Sequence, residues 1–170
     1  MKYLIALALL LCLAVPSLAA STLFMRIDTL KGSYNGDRTH KDWCELVSMK
    51  GPNKSGESGP IVVRKVQDEA SSALMGAATA GAAYPTIIID LCTSSSAPDG
   101  QTVVQKFTLG KAVIREANVV YEKLAEGTRP VEEITISYDT INWEASTVRP
   151  DGAAGPGTKD SWNNGTKAKT

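Results

Sequence analysis

The segment from Val131 to Ser146 constrains the fold more than any other part of the sequence. Its apolar residues Ile134 and Ile136 alternate with polar ones, which is the two-residue period of a β-strand with one buried face. The apolar positions then change parity and continue at Ile141 and Trp143. A change of parity within one strand predicts a bulge or a sharp bend, which is how sheets curve and close into barrels.

Most of the remaining sequence also predicts short strands separated by turn residues. The segment 22–32 predicts an opening strand that Gly32 closes, and Gly110 predicts a bulge or bend between two later strands. The other predicted strands are Trp43–Met49, Ile61–Val66, Thr86–Cys92, Gln101–Leu109 and Lys111–Tyr121. The tail from Arg149 to Thr170 is rich in Gly, Pro, Asn and Lys, so we expect it to fray, apart from a packed Trp162.

One stretch predicts a helix, from Gln67 to Ala83. Asp68 or Ser71 could cap its beginning, and Gly81 is a typical C-terminal stop. Its side chains are small, so the helix must dock on another element to persist. The predicted fold class is therefore all-β (mainly β): an antiparallel β-barrel or sandwich with one short flanking α-helix.

The first 19 residues predict a secretory signal peptide. Lys2 gives a short cationic start, an apolar run of about a dozen residues follows from Leu4, and small residues lead to cleavage after Ala19 or Ala20. A membrane-spanning helix needs about 20 apolar residues, and Pro16 interrupts this run earlier. We therefore expect residues 20–170 to form a single secreted or periplasmic domain, with no stable membrane insertion after cleavage.

Two cysteines, Cys44 and Cys92, remain after that cleavage. Two thiols can form a disulfide in an oxidising compartment, but both lie in predicted strands, where buried free cysteine is also common. Pairing needs Cα atoms within about 7 Å, a distance that the sequence does not supply. Both alternatives stay open at this point.

The composition argues against several classes of function. The formal net charge is zero, from 18 Lys plus Arg against 18 Asp plus Glu, so nucleic acid is not an expected partner. One His and three Cys leave few ligands for a metal site, and no glycine loop of phosphate-binding type is present. We expect no metal and no cofactor.

Few residues suggest catalysis. His40 lies in a polar turn with no marked nucleophile, so it is interpreted as a turn residue that is solvated or bonded to its neighbours. Glu132 and Glu133 are adjacent in a strand and point to opposite faces, so they cannot act together and are interpreted as solvated. We expect no catalytic site. Three tryptophans suggest a carbohydrate platform or, more commonly, core or interface residues: Trp43, Trp143 and Trp162.

The order of these features resembles the haemolysin-coregulated protein family, the tube subunit of the bacterial type VI secretion system. The resemblance covers residues 24–163 and rests on five pieces in sequence. They are FMRIDTLKG, the turn GDRTHKDW, the block QDEASSALMGAATAGAAYPTIIIDL, the strand Val131–Ser146 with its change of parity, and PDGAAGPGTKDSWN.

The resemblance implies a β-barrel with one flanking helix, six copies of which close into a ring. It also implies that rings stack into a hollow tube through an extended loop, that the lumen can hold small effectors, and that neither a cofactor nor a catalytic site is needed. Here the extended loop corresponds to Lys50–Pro60. The loop residues expected to mediate stacking are Gly51, Pro52, Asn53, Lys54, Ser55, Gly56, Glu57, Ser58 and Gly59.

Tube subunits of that family assemble in the cytoplasm, whereas the predicted signal peptide directs this chain to general export. We therefore hypothesise a periplasmic or extracellular ring-forming protein of the tube-subunit type, which could carry small effector proteins. The alternative is a secreted β-sandwich module that binds a carbohydrate or a protein ligand. A secreted hydrolase, which would depend on His40, is a third alternative.

Overall fold

The computed structural model describes residues 21–54, 57–125 and 127–169. The predicted signal peptide lies outside them. The described part contains eleven strands and one helix, predominantly β as predicted. The strands are β1 (Ser21–Ile27), β2 (Cys44–Lys50), β3 (Asn53–Lys54), β4 (Glu57–Ser58), β5 (Ile61–Val66), β6 (Ala83–Ser94), β7 (Gln101–Leu124), β8 (Gly127–Ser137), β9 (Thr140–Val148), β10 (Ala154–Asn163) and β11 (Ala168–Lys169). The helix is α1 (Ser71–Ala80).

The main sheet is antiparallel and closes on itself. Its neighbours run β11, β10, β9, β7, β6, β1, β2, β5 and β8, and β8 then pairs again with β7. Six strands therefore form a closed barrel, and β9, β10 and β11 extend the sheet beyond it. Closure protects the barrel strands from edge-to-edge pairing.

The change of parity near Tyr138 marks a corner of the barrel, as predicted. β8 and β9 both pair with β7, Ser137 opposite Val113 and Thr140 opposite Gly110, so they follow one another along the same partner. The register along β7 is the same on both sides of Tyr138 and Asp139, while the buried positions change from Ile136 and Tyr138 to Ile141. The opposite strand bends at the same level, where Lys111 has a φ of 49°. β7 is one continuous strand rather than the two predicted ones.

Two apolar clusters lie on opposite faces of β1. The main cluster fills the barrel and includes Met25 and Ile27, while the smaller one contains Phe24, Trp43 and Cys92. The alternation of side chains along β1 places these two sets on opposite sides. The connection from 28 to 43 folds over the smaller cluster and covers this outer face of the sheet.

The helix is shorter than predicted and ends where expected. Gly81 adopts the left-handed conformation with a φ of 62°, and its amide closes the last turn. The prediction that Asp68 or Ser71 caps the other end is wrong, because the N-cap is Ala70 and α1 has no side-chain cap; Asp68 Oδ1 instead accepts a hydrogen bond from the Ala70 amide at 2.9 Å. Leu74 and Ala77 are the buried residues of α1, and they pack in the main cluster.

The prediction that the tail frays is wrong. Residues 154–163 form β10, which pairs with β9 in register from Gly157 to Asn163. Gly157 permits this close approach, since a Cβ there would lie 2.6 Å from the Ala145 carbonyl oxygen. Trp162 packs against the main cluster, as predicted. Glycine and proline indicated a loop, but pairing with the open edge of β9 decides the conformation.

Candidate interaction surfaces

The extended loop connects β2 to β5 and has structure of its own. Asn53 pairs with Ser58 and Lys54 with Glu57, which makes β3 and β4 a small hairpin separate from the main sheet. Its legs return to the barrel at Gly51 and Pro60. The structure thus places the predicted loop between two barrel strands as a projecting arm, with residues 55 and 56 outside the described part.

The two ends of this loop form a narrow neck. Gly51 has a φ of +113°, and a Cβ at that position would lie 2.6 Å from the Pro60 carbonyl oxygen. Glycine is therefore required at the neck on both conformational and steric grounds. Gly59 differs, because no atom lies within 4 Å of a Cβ built on it.

A second projecting feature is the far end of the β7–β8 hairpin. β7 pairs with β6 only as far as Val113, and β8 pairs with β5 only from Val131 onward. From 114 to 124 β7 pairs with β8 alone in the described sheet, and at the far end, 121–124 with 127–130, neither strand has a further partner. We call the segments 114–124 and 127–130 the apolar ribbon.

The apolar ribbon exposes three consecutive large apolar side chains. Val119 is 41% exposed, Val120 39% and Tyr121 80%. Consecutive strand residues point to opposite faces, so both faces of the ribbon present apolar surface. Exposed apolar surface concentrated in one projecting element is typical of an interaction site rather than of scattered surface residues.

His40 lies buried between two carboxylates, on the outer face of β1 and β6. Its Nδ1 lies 3.0 Å from Asp37 Oδ2, and its Nε2 lies 3.4 Å from Asp90 Oδ2. The ring stacks on Phe24 at 4.3 Å between centroids and meets the Trp43 ring edge-on at 4.9 Å. All three charged side chains are at most 3% exposed. We call Asp37, His40 and Asp90 the His40 cluster.

The His40 cluster favours the charged imidazolium. Burial alone lowers the pKa of His40, but hydrogen bonding to Asp90, Cys92 and Asp37 outweighs it and raises the pKa to about 10. Burial tends to raise the pKa of Asp37, yet hydrogen bonds from the His40 backbone and ring lower it overall. Asp90 Oδ1 is buried with no hydrogen-bond partner among the described residues.

The structure brings a cysteine, a histidine and an acid together, an arrangement that the sequence did not indicate. Cys92 Sγ lies 3.8 Å from His40 Nε2, while Asp37 holds the opposite ring nitrogen. This resembles the residue set of a cysteine nucleophile with its base, but Cys92 is 0% and His40 2% exposed. Both side chains are closed to solvent in this fold, and they pack the connection 28–43 against the sheet.

The interpretation of Glu132 as a solvated residue is wrong. Glu132 and Glu133 do face opposite sides, as predicted, but Glu132 is 3% exposed and points into the barrel. Its Oε2 accepts hydrogen bonds from Lys65 Nζ at 2.7 Å and from Ser71 Oγ at 2.9 Å. Lys65, 0% exposed, also pairs with Asp68 at 2.8 Å.

In this fold Cys44 and Cys92 are both free thiols, and both are buried. Cys44 lies opposite Met25 and Cys92 opposite Thr22, so alternation along β1 directs the two sulfur atoms to opposite faces of the sheet. Cys44 belongs to the main cluster and Cys92 to the smaller one. Burial, and then the nearby Asp68 carboxylate, raise the pKa of the Cys44 thiol.

The three tryptophans do not form a common platform. Trp43 is buried in the smaller cluster, whereas Trp143 and Trp162 pack against the main one. They therefore lie on different sides of the sheet, and the prediction of core packing holds for them. This removes the observation on which a carbohydrate platform would depend.

Neither a metal cluster nor a spanning helix stands out in the described ranges. Among these residues no three His, Cys, Asp or Glu side chains converge as metal ligands would. Likewise, no helix within them has the length and apolar character needed to cross a bilayer.

The fold and these surfaces define a class of protein: a closed antiparallel β-barrel with a docked helix, a projecting loop and a projecting apolar ribbon. Residues 24–144 match the family described as "Type VI secretion system effector, Hcp". The chain therefore belongs to the Hcp family, as its sequence resemblance indicated. No curated protein matches the sequence.

Solved structures show the same fold. Hcp1 from Salmonella typhimurium superposes with a TM-score of 0.74 at 18% identity, covering 89% of this chain and 99% of that one. A structure described as a type six secretion system protein gives 0.75 at 23% identity, covering 89% and 100%. The secreted protein Hcp3 from Pseudomonas aeruginosa gives 0.64 at 20% identity, covering 85% and 98%.

Proposed function

We propose that this protein is a structural, non-catalytic subunit that assembles into a homohexameric ring of the type VI secretion tube type. The apolar ribbon is the observation that carries the proposal. It leaves Val119, Val120 and Tyr121 uncovered at the end of an otherwise well-packed barrel, where a second copy of the chain could cover them. A contact between this ribbon and a different surface of the next copy is head-to-tail, and such contacts close into rings when the rotation permits.

The extended loop is proposed to carry a second contact, between rings. It projects from the barrel, contains its own hairpin, and includes the residues 51–59 that the resemblance assigned to stacking. A narrow neck at Gly51 and Pro60 supports this role, because it lets a short arm leave the barrel without disturbing β2 or β5.

Export and cargo complete the proposal. Residues 1–19 act as a signal peptide, the remaining chain forms one domain, and rings form in the periplasm or outside the cell. The ring lumen is proposed to hold small effector proteins. Native mass spectrometry of rings isolated from the producing cells would detect such cargo as a mass in excess of six subunits.

The experiment that tests ring formation is Tyr121→Glu in the chain that begins at Ala20. The Tyr121 side chain is 80% exposed, so the substitution leaves the barrel intact while placing a charge in the proposed contact. We expect wild-type protein to give a six-subunit mass by light scattering and a ring with a central hole in electron micrographs. We expect the variant to be a folded monomer.

Val148→Glu is the matched control. Val148 is also an exposed apolar residue, at 40%, but it lies on β9 away from the apolar ribbon. The control should keep the six-subunit mass. A wild-type chain that stays monomeric at all concentrations would contradict ring formation, and a ring unaffected by Tyr121→Glu would contradict the role of the ribbon.

A further inference from the structure

One buried tyrosine of the barrel forms hydrogen bonds with the extended loop, at the end of the loop that leads into β5. The Tyr138 hydroxyl donates to the Gly59 carbonyl oxygen at 2.7 Å and lies 2.6 Å from Ser58 Oγ. Because a phenol has one proton to donate, the Ser58 hydroxyl must be the donor in the second bond. Burial raises the pKa of Tyr138, so the hydroxyl keeps the proton that it donates.

Tyr138 is itself held firmly. It is 6% exposed, its ring packs in the main cluster, and its carbonyl oxygen accepts a hydrogen bond from Asn164 Nδ2 at 2.9 Å. Its neighbour Asp139 donates its amide to the Gly110 carbonyl oxygen and accepts a bond from the Asn164 amide. The hydroxyl is thus fixed by the barrel corner, by β7 and by the end of β10.

The residues that Tyr138 contacts, Ser58 and Gly59, lie next to the loop neck. Gly51 and Pro60 approach each other at the base of the loop, and Ser58 and Gly59 directly precede Pro60. A loop tied at one narrow base can still swing about it. Two hydrogen bonds from a fixed point beside that base remove much of this freedom and set the direction in which the hairpin of β3 and β4 projects.

We propose that Tyr138 is a positioning residue that fixes the orientation of the extended loop for ring stacking. This inference rests on the proposed function, because it assigns a role within the same stacking contact. In a ring, six loops must meet the next ring at once, so each loop that is ordered beforehand avoids a loss of entropy on association. We therefore expect the Tyr138 hydroxyl to have little effect on ring formation and a large effect on the stacking of rings.

The test compares Tyr138→Phe with wild type, both beginning at Ala20. The substitution removes one oxygen atom and leaves the ring in its packing site. We expect hydrogen exchange of the peptide covering 50–60 to become several-fold faster and the six-subunit mass to stay unchanged. Loss of a hydrogen bond in each of six loops is expected to lower the stacking constant by at least about tenfold.

Two further variants make the result specific. Ser58→Ala removes the partner on the loop without touching the barrel, so it should also accelerate exchange in 50–60. Tyr34→Phe is the matched control, because the Tyr34 hydroxyl accepts a hydrogen bond from Gln101 Nε2 at 3.1 Å and its ring packs against the smaller cluster on the outer face of the sheet. It should change neither exchange in 50–60 nor stacking.

The outcomes separate the inference from the proposed function. Unchanged exchange in Tyr138→Phe and Ser58→Ala overturns the positioning role, whether or not rings form. Faster exchange with unchanged stacking overturns the link between loop direction and stacking. Wild-type rings that never stack overturn the stacking contact itself, and the inference with it, while ring formation stands.

Discussion

At the scale of single residues, His40 shows how one side chain can fix a long connection. Two carboxylates from different places in the chain, Asp37 in the turn and Asp90 in β6, meet on its two ring nitrogens. The imidazolium thus ties the connection 28–43 to the sheet, with Phe24 stacked on its face. Removing this cation would leave the buried Asp37 and Asp90 carboxylates without it, with Lys106 Nζ at 3.9 Å from Asp90 as a partial replacement, which is costly in a poorly solvated site.

His40→Gln is expected to lower the free energy of unfolding near pH 6 by on the order of 3–5 kcal/mol, measured by urea denaturation. The exposed hydrogen bond from Thr39, in the same turn, to Asp99 in the β6–β7 connection supplies the control: Asp99→Asn should cost less than about 0.5 kcal/mol. A loss equally small for His40→Gln would show that the cluster does not hold the connection.

The pH dependence follows from the sign of the shift. The pKa of His40 is raised to about 10 in the folded chain from 6.5, so its stabilisation is complete below about pH 6.5 and is lost as the pH rises toward 10. The lowered pKa of Asp37 acts at acidic pH, where the contribution of this carboxylate to the free energy of unfolding is lost as the pH falls through its folded-state pKa. The stability difference between wild type and His40→Gln should therefore shrink from pH 6.5 to 10. NMR of the single imidazole should show both ring nitrogens protonated at pH 8.

At the scale of secondary-structure elements, the docking of α1 depends on a buried ion network. Lys65 of β5 contacts Glu132 of β8 and Asp68 before the helix, and Ser71 at the first helical turn joins it. The helix itself is weak, with small side chains and only Leu74 and Ala77 buried. Its position is consequently set by these polar contacts together with two apolar side chains.

Lys65→Met is expected to lower the free energy of unfolding by on the order of 3–5 kcal/mol, because Glu132 and Asp68 lose their cation. Adding Glu132→Leu should recover the part of that loss that comes from the unpaired Glu132 carboxylate, since an apolar pair of similar volume tolerates burial well, while Asp68 still lacks its cation. A double-mutant cycle by urea denaturation measures the coupling. A cycle in which the two losses simply add would show that the pair is not an energetic unit.

At the scale of the whole molecule, the proposed export route makes a prediction about the mature chain. The apolar run before Pro16 should enter the export machinery, and the small residues Ser17 and Ala19 should allow cleavage. We expect protein in the periplasm or medium with an intact mass that lacks residues 1–19 or 1–20. Replacing Ser17 and Ala19 together by Phe should retain the leader, and a full-length chain that stays in the cytoplasm would contradict the export proposal.

Local patterns in the sequence determined much of the architecture. Alternation of apolar residues predicted the barrel strands, and β5 was predicted with the observed bounds. The parity change before Ile141 predicted the corner between β8 and β9, and Gly110 predicted the bend in β7 at the same level. Gly81 predicted the end of the helix. These features depend on neighbouring residues, whose order the sequence states directly.

Only the tertiary structure decided the contacts between distant residues. It directed Cys44 and Cys92 to opposite faces, buried Glu132 against Lys65, and turned the glycine-rich tail into β10. It also brought His40 between Asp37 and Asp90, and Tyr138 onto the extended loop 79 or 80 positions away in the chain. The physical reason is that strand register and barrel closure determine which distant side chains meet, and a local pattern carries neither.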